Sequence, residues 1–92
     1  VVAFNDEFAL GMCKRFHALG IQVPRDISLI GIDGSSARKY RDPCLTSVGL
    51  FPEKQGARCV DTLLDMLEGK KVKYVSGSPI KLIKGDSVRK LE

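Results

Sequence analysis

The groups with most chemistry to offer in this sequence follow directly on apolar runs. Asn5-Asp6 comes after Val1-Val2-Ala3-Phe4, and Asp33 comes after the run from Ile27 to Ile32. A strand buried on both faces reads as a short, continuously apolar run, so these polar groups stand at the carboxyl ends of two candidate strands. Ligands on open α/β sheets bind beyond those ends. Parallel neighbours lie about 4.8 Å apart, so an amide and a carboxylate delivered there can converge on one small molecule. Asn5 and Asp6 also have a purely structural use, since either side chain can cap the following helix by accepting from its free N–H groups. Asp6 is expected to cap rather than to meet a ligand. For Asp33 the alternative is a turn position before Gly34, and Ser35 and Ser36 are expected to be turn residues.

Little else in the chain has catalytic potential. The single histidine, His17, falls mid-helix, badly placed to act as a base for Ser35 or Asp33. No Ser/His/Asp order, phosphate loop or metal-ligand spacing is present, so no catalytic residue, metal or cofactor is expected. Cys13, Cys44 and Cys59 are odd in number and form no CxxC pair, which argues against a disulfide framework or a zinc site and suits a reducing, cytoplasmic compartment. The net charge of +4 is spread over Lys14-Arg15, Arg38-Lys39, Lys70-Lys71 and the tail, as a solvated surface would be, and DNA contact does not follow from it. A hydrophobic fraction of 43% excludes a disordered chain. No apolar run reaches the roughly 20 residues that cross a bilayer, and no signal-peptide pattern appears.

The elements that must position these groups alternate. A strand over 1–4 leads into a helix that runs to about Leu19, with Phe8, Met12, Phe16 and Leu19 as its core stripe. Gly20 and Ile21 end it in the Schellman manner. Leu10, Cys13, Lys14 and His17 fall on the opposite face, where an apolar Leu10 suits an interface. A turn at Val23 to Asp26 precedes a strand over 27–32, a loop at 33–36, a helical turn at 37–41 and a strand over 45–50. Pro52 opens a second helix to about Glu68, with Val60, Leu63, Leu64 and Leu67 inward and Gly69 ending it. Strands at 73–75 and 79–84 flank a Ser-Gly-Ser-Pro turn, and a polar tail follows. This order predicts an α/β fold whose first three elements form a right-handed βαβ unit. A chain of 92 residues buries only about 60–65% of its unfolded surface, so its core is marginal alone. It also begins inside an element, as a fragment would.

Several short strings, in this order and spacing, resemble the lactose/galactose-repressor (LacI/GalR) type of bacterial transcription regulator. They are Phe4-Asn5-Asp6, Ala9-Leu10-Gly11, Leu19-Gly20-Ile21, Val23-Pro24, Asp26-Ile27-Ser28, Gly31-Ile32-Asp33, Ala37-Arg38 with Tyr40, and Pro43 with Leu45-Thr46-Ser47-Val48. The resemblance runs from residue 1 to about 87. It implies a partial domain of the periplasmic-binding-protein-like fold, a three-layer α/β sandwich on a parallel sheet, with an effector in the cleft between two subdomains. Residues 1–50 would belong to the carboxyl-terminal subdomain. Residues 51–78, including the helix over 52–68, would cross to the amino-terminal one, and 79–92 would return as a strand and tail. Most partners of that helix, and the headpiece through which such proteins touch operator DNA, would then lie outside this chain.

The same resemblance implies that Asn5 and Asp33 line the effector cleft, where amide and carboxylate groups bond the hydroxyls of a sugar or similar ligand. It further implies a homodimer formed through the first helix, at Leu10, Cys13, Lys14 and His17. Some positions depart from the pattern. Cys44 stands where a second proline is common, Gly34 where an Asp or Asn is common, and Gly85 where an arginine is frequent. Asp33-Gly34 is instead typical of ribose-type periplasmic binding proteins, so a transport-linked sugar-binding protein is the alternative. The Leu-Thr-Ser-Val string and the unpaired cysteines weigh against it. An enzyme is the least favoured reading.

Overall fold

The computed structural model describes residues 1–73 and 77–91. Helix α1 (Asp6–Ala18) starts at Asn5, whose backbone is extended and whose Oδ1 accepts from the Phe8 N–H at 2.8 Å. It ends as expected: Ile21 N–H donates to Phe16 O at 2.9 Å and Gly20 N–H to His17 O at 3.0 Å, the paired bonds of a Schellman ending.

The core stripe of α1 differs from the expected one. Its buried face carries Asp6 and Ala9, with Leu10, Met12 and Cys13 packed at the edges. Phe8 is 63% exposed, packing edge-on against the equally outlying Phe4, and Leu19 is exposed too. Ala9 is fully buried, and a residue that small lets the helix come close to the sheet, where a phenylalanine would hold it off.

Strand β1 (Ile30–Asp33) pairs in parallel with β2 (Thr46–Gly49), Ile30 opposite Thr46 and Asp33 opposite Gly49. Both are shorter than expected from the apolar runs. Val2 joins the other edge of β1 through a parallel bridge to Ile30, with Ala3 N–H donating to Ile30 O at 2.8 Å. That segment is not buried on both faces: Ala3 is buried, but Val1, Val2 and Phe4 are exposed. No strand among the described residues covers its far edge.

Strand β3 (Lys81–Ile83) runs antiparallel to β2, so the sheet is mixed, not wholly parallel. The chain leaves β2 at Gly49 and returns at Lys81, opposite that same residue, and must therefore run back down the strand. A short 3-10 turn covers Ser36–Tyr40.

Leu29 and Leu45 are fully buried and form the core with Ala3 and Ala9. The expected polar tail contributes to it as well. Ser87 is fully buried, donating to Leu29 O at 2.5 Å and accepting from Thr46 N–H at 2.8 Å. A buried hydroxyl satisfied on both sides stitches this segment to β2 and to the residue that precedes β1.

Helix α2 (Pro52–Leu67) has no buried residue. Val60, Leu63, Leu64 and Leu67, expected to face inward, are all more than half exposed. Its amphipathic face finds no cover among the described residues. Phe51, just before it, holds a left-handed backbone with φ 51°. Of the strand expected at 73–75, Lys73 is not in a strand, and 74 and 75 lie outside the described residues, as does Ser76 of the following turn.

Candidate functional site

Asp33 ends β1 with its side chain exposed and its backbone at φ 120°, a region that L-residues rarely adopt. Its carbonyl accepts from Leu50 N–H at 3.2 Å, while its carboxylate takes no hydrogen bond among the described residues. Gly34 follows at φ 73°. A Cβ there would lie 2.9 Å from both Gly49 Cα and Ile83 Cδ1, which accounts for a glycine where an Asp or Asn is common.

Behind Asp33 lies a polar cluster that the sequence reading missed. Asp6 is only 1% exposed. Its Oδ2 accepts from the Ser35 N–H at 2.6 Å, and its Oδ1 accepts from the Ser47 hydroxyl at 2.5 Å. Ser47 Oγ in turn accepts from the Gly34 N–H at 2.9 Å. Asp6 is thus neither the helix cap nor an exposed group but a tie between α1, β2 and the loop after β1. Gly31 makes room for it, since a Cβ at that position would fall 2.2 Å from Asp6 Oδ1. An Asp beside a cap residue, with a strand glycine opposite it, was the available signal. Ser35 also accepts from Ala37 N–H at 3.2 Å, capping the 3-10 turn.

Asn5 is half-buried, and its Oδ1 is spent on the helix cap. The amide nitrogen makes no bond among the described residues and so presents two donors. Asn5 and Asp33 stand at the carboxyl ends of adjacent parallel segments whose loops Asp6 and Ser35 tether. One offers donors and the other acceptors, a combination suited to hydroxyl groups.

A second surface gathers Leu10, Cys13, Lys14 and His17. They line a concavity of about 520 Å³ together with Ile21, Val23 and residues 40–43. Lys14 and His17 are exposed, but Leu10 and Cys13 are half-buried against the core, so these two do not lie opposite it. Burial pushes the Cys13 thiol up from its usual value. Arg38, expected on the solvated surface, is 7% exposed; its Nη1 donates to Leu45 O at 3.3 Å and reaches Cys44 Sγ at 3.6 Å. The 3-10 turn folds it over the start of β2. No helix among the described residues is long and apolar enough to cross a membrane.

The parallel pair of β1 and β2, with helix α1 packed close at Ala9, places the chain in the α/β class. Residues 1–88 match the periplasmic binding protein-like domain, and the chain belongs to that family. Within the family its likeness runs to regulators of the LacI/GalR type. It is 34% identical to the HTH-type transcriptional repressor PurR of Vibrio vulnificus, over 99% of this chain and 28% of that protein. The structure superposes with a TM-score of 0.91 on a lac repressor dimer bound to operator and the anti-inducer ONPF, at 30% identity over 95% of this chain and 30% of that one. A LacI family regulator from Enterococcus faecium with bound ribose gives the same TM-score at 29% identity, covering 100% of this chain and 35% of the other. The chain therefore spans between about a fifth and about a third of the length of the relatives it matches.

Proposed function

We propose that this chain is the ligand-sensing and dimerisation part of a LacI/GalR-type transcription regulator that takes a small polyhydroxylated effector, a sugar or sugar derivative. The observation that carries this reading is the pair at the sheet edge, where the Asn5 amide nitrogen and the Asp33 carboxylate take no hydrogen bond among the described residues. A carboxylate accepts charge-assisted bonds from neighbouring hydroxyls, and an amide supplies the complementary donors. The relative solved with ribose supports this chemistry.

In this reading residues 1–50 form part of one subdomain, 51–78 cross to the other and 79–92 return. The uncovered apolar face of α2 supports the crossing, because a face of leucines needs a partner that residues 1–50 do not provide. A second copy of the chain meets the first along Leu10, Cys13, Lys14 and His17. Effector then acts by population shift, favouring one arrangement of the subdomains and so altering operator affinity through a headpiece outside this chain.

The test is Asp33→Ala in the intact protein. Operator binding should persist while release or tightening by effector is lost. A preserved effector response would reject the assignment.

A further inference from the structure

Three consecutive residues at the end of β1 each commit a backbone group to a fixed partner. The Asp33 carbonyl accepts from Leu50 N–H, the Gly34 N–H donates to Ser47 Oγ, and the Ser35 N–H donates to Asp6 Oδ2. The last two bonds are linked, because the Ser47 hydroxyl donates onward to Asp6 Oδ1. A hydroxyl that donates to a carboxylate is polarised into a better acceptor, so the bond to Gly34 gains from the one behind it. All of this is buried: Asp6 is 1% exposed and Ser47 fully enclosed.

We propose that Asp6, acting through Ser47, is the positioning residue for the Asp33 carboxylate. A left-handed backbone at a non-glycine residue persists only where its surroundings over-determine it, and this clamp does so at Asp33. Asp6 is also the first residue of the helix that Asn5 caps. One carboxylate thereby sets the amide and the acid of the candidate site in a common frame. Its chemistry is specific to the task. Both oxygens accept and neither has a hydrogen to give, which is what an N–H on one side and an O–H on the other require. An amide at this position would turn a donor towards one of them. This role presupposes that Asp33 takes effector, as proposed above.

The test uses the intact protein that carries this segment, with ribose as the titrated ligand. Ser47→Ala removes both the acceptor for Gly34 and the donor to Asp6, Ser47→Thr keeps the hydroxyl, and Asp6→Asn keeps the shape but changes the donor pattern. Amide exchange is followed at Gly34 and Ser35 against the β2 amides as an internal reference, and ribose affinity is measured by calorimetry. In Ser47→Ala and Asp6→Asn the loop amides should exchange about fivefold to tenfold faster with β2 unchanged, as loss of one or two buried bonds implies. Ribose affinity should fall in step, and Ser47→Thr should restore both. Should Ser47→Ala fail to fold, Asp6→Asn has the same readout. Unaltered exchange at Gly34 and Ser35 overturns the proposal, and so does faster exchange with undiminished ribose affinity. Failure of the unsubstituted protein to bind ribose removes ribose as its effector and leaves the clamp to be decided by the exchange rates at Gly34 and Ser35, where unaltered exchange overturns it.

Discussion

Asp6 and Ser47, 41 residues apart in sequence, meet through a 2.5 Å hydrogen bond in which the serine hydroxyl donates to the buried carboxylate. That bond joins the start of α1 to the middle of β2, and the loop carrying Asp33 hangs from both partners. The helix amino terminus, the sheet edge and the candidate ligand groups are therefore one mechanical unit.

The closeness of that unit makes Gly31 intolerant of even a methyl group. Gly31→Ala would bring Cβ to 2.2 Å of Asp6 Oδ1 and 2.9 Å of Leu45 Cδ2, both fully enclosed. A loss of about 1–3 kcal/mol is expected from overpacking at such a site. Thermal or urea denaturation measures it, and an unshifted transition would show that the carboxylate has room to move.

The two uses of Asn5 can be separated. Asn5→Asp keeps the oxygen that caps α1 but removes both free donors, so effector affinity should drop with little change in stability. Asn5→Ala should lose affinity and about 1 kcal/mol of stability together, since the cap goes as well. Comparing calorimetric affinity with melting temperature across the two variants checks the division. Equal affinity for Asn5→Asp and the parent would remove Asn5 from the site.

Leu10→Ala in the intact protein should raise the monomer fraction in sedimentation, with a partial loss of stability because Leu10 also packs on the core. Tyr40 lines the same concavity at 85% exposure, so Tyr40→Ala should weaken the dimer with no such loss. An unchanged dimer in both variants would move the interface elsewhere.

The 92-residue chain studied alone should self-associate through α2. Val60, Leu63, Leu64 and Leu67 form an exposed apolar face, and a face of that kind seeks another. Leu63→Glu with Leu67→Glu should lower the apparent mass of the isolated chain while destabilising the intact protein. A monomer with a concentration-independent melting temperature before substitution would contradict this.

Burial raises the Cys13 thiol above its ordinary range. The folded state thus holds this proton more tightly than the unfolded chain does. Its contribution to stability is complete below the ordinary thiol range and is lost as pH rises through that range towards the raised value. Cys13→Ala should flatten the alkaline limb of the stability profile, and alkylation of Cys13 in the folded chain should lag behind that of exposed Cys59. Equal rates would show that the thiol is open to solvent.

Neighbours along the chain are enough to place the helices, the Schellman ending at Gly20 and the polar groups that follow apolar runs. Each depends on neighbours a few residues away: a cap at Asn5, a proline at Pro52, a period of 3.6. What they misjudge depends on distant partners. The stripe through Phe8 and Leu19 has good helical spacing, yet the sheet admits only Ala9 and Asp6, because depth of approach is set by what lies opposite. Ser87 in a polar tail and Ser47 in a strand look ordinary in sequence, and each is buried where residues about 40 or more positions away supply its hydrogen bonds, Leu29 and Thr46 for the one and Asp6 for the other. Arg38 in a basic pair is buried by the turn that folds it back onto Leu45. The run Val1 to Phe4 promised burial on both sides, which the described residues provide on one. Periodicity and capping are short-range physics and can be read from spacing. Satisfaction of a buried polar atom is a property of three-dimensional neighbours, and it emerges only once the chain has folded.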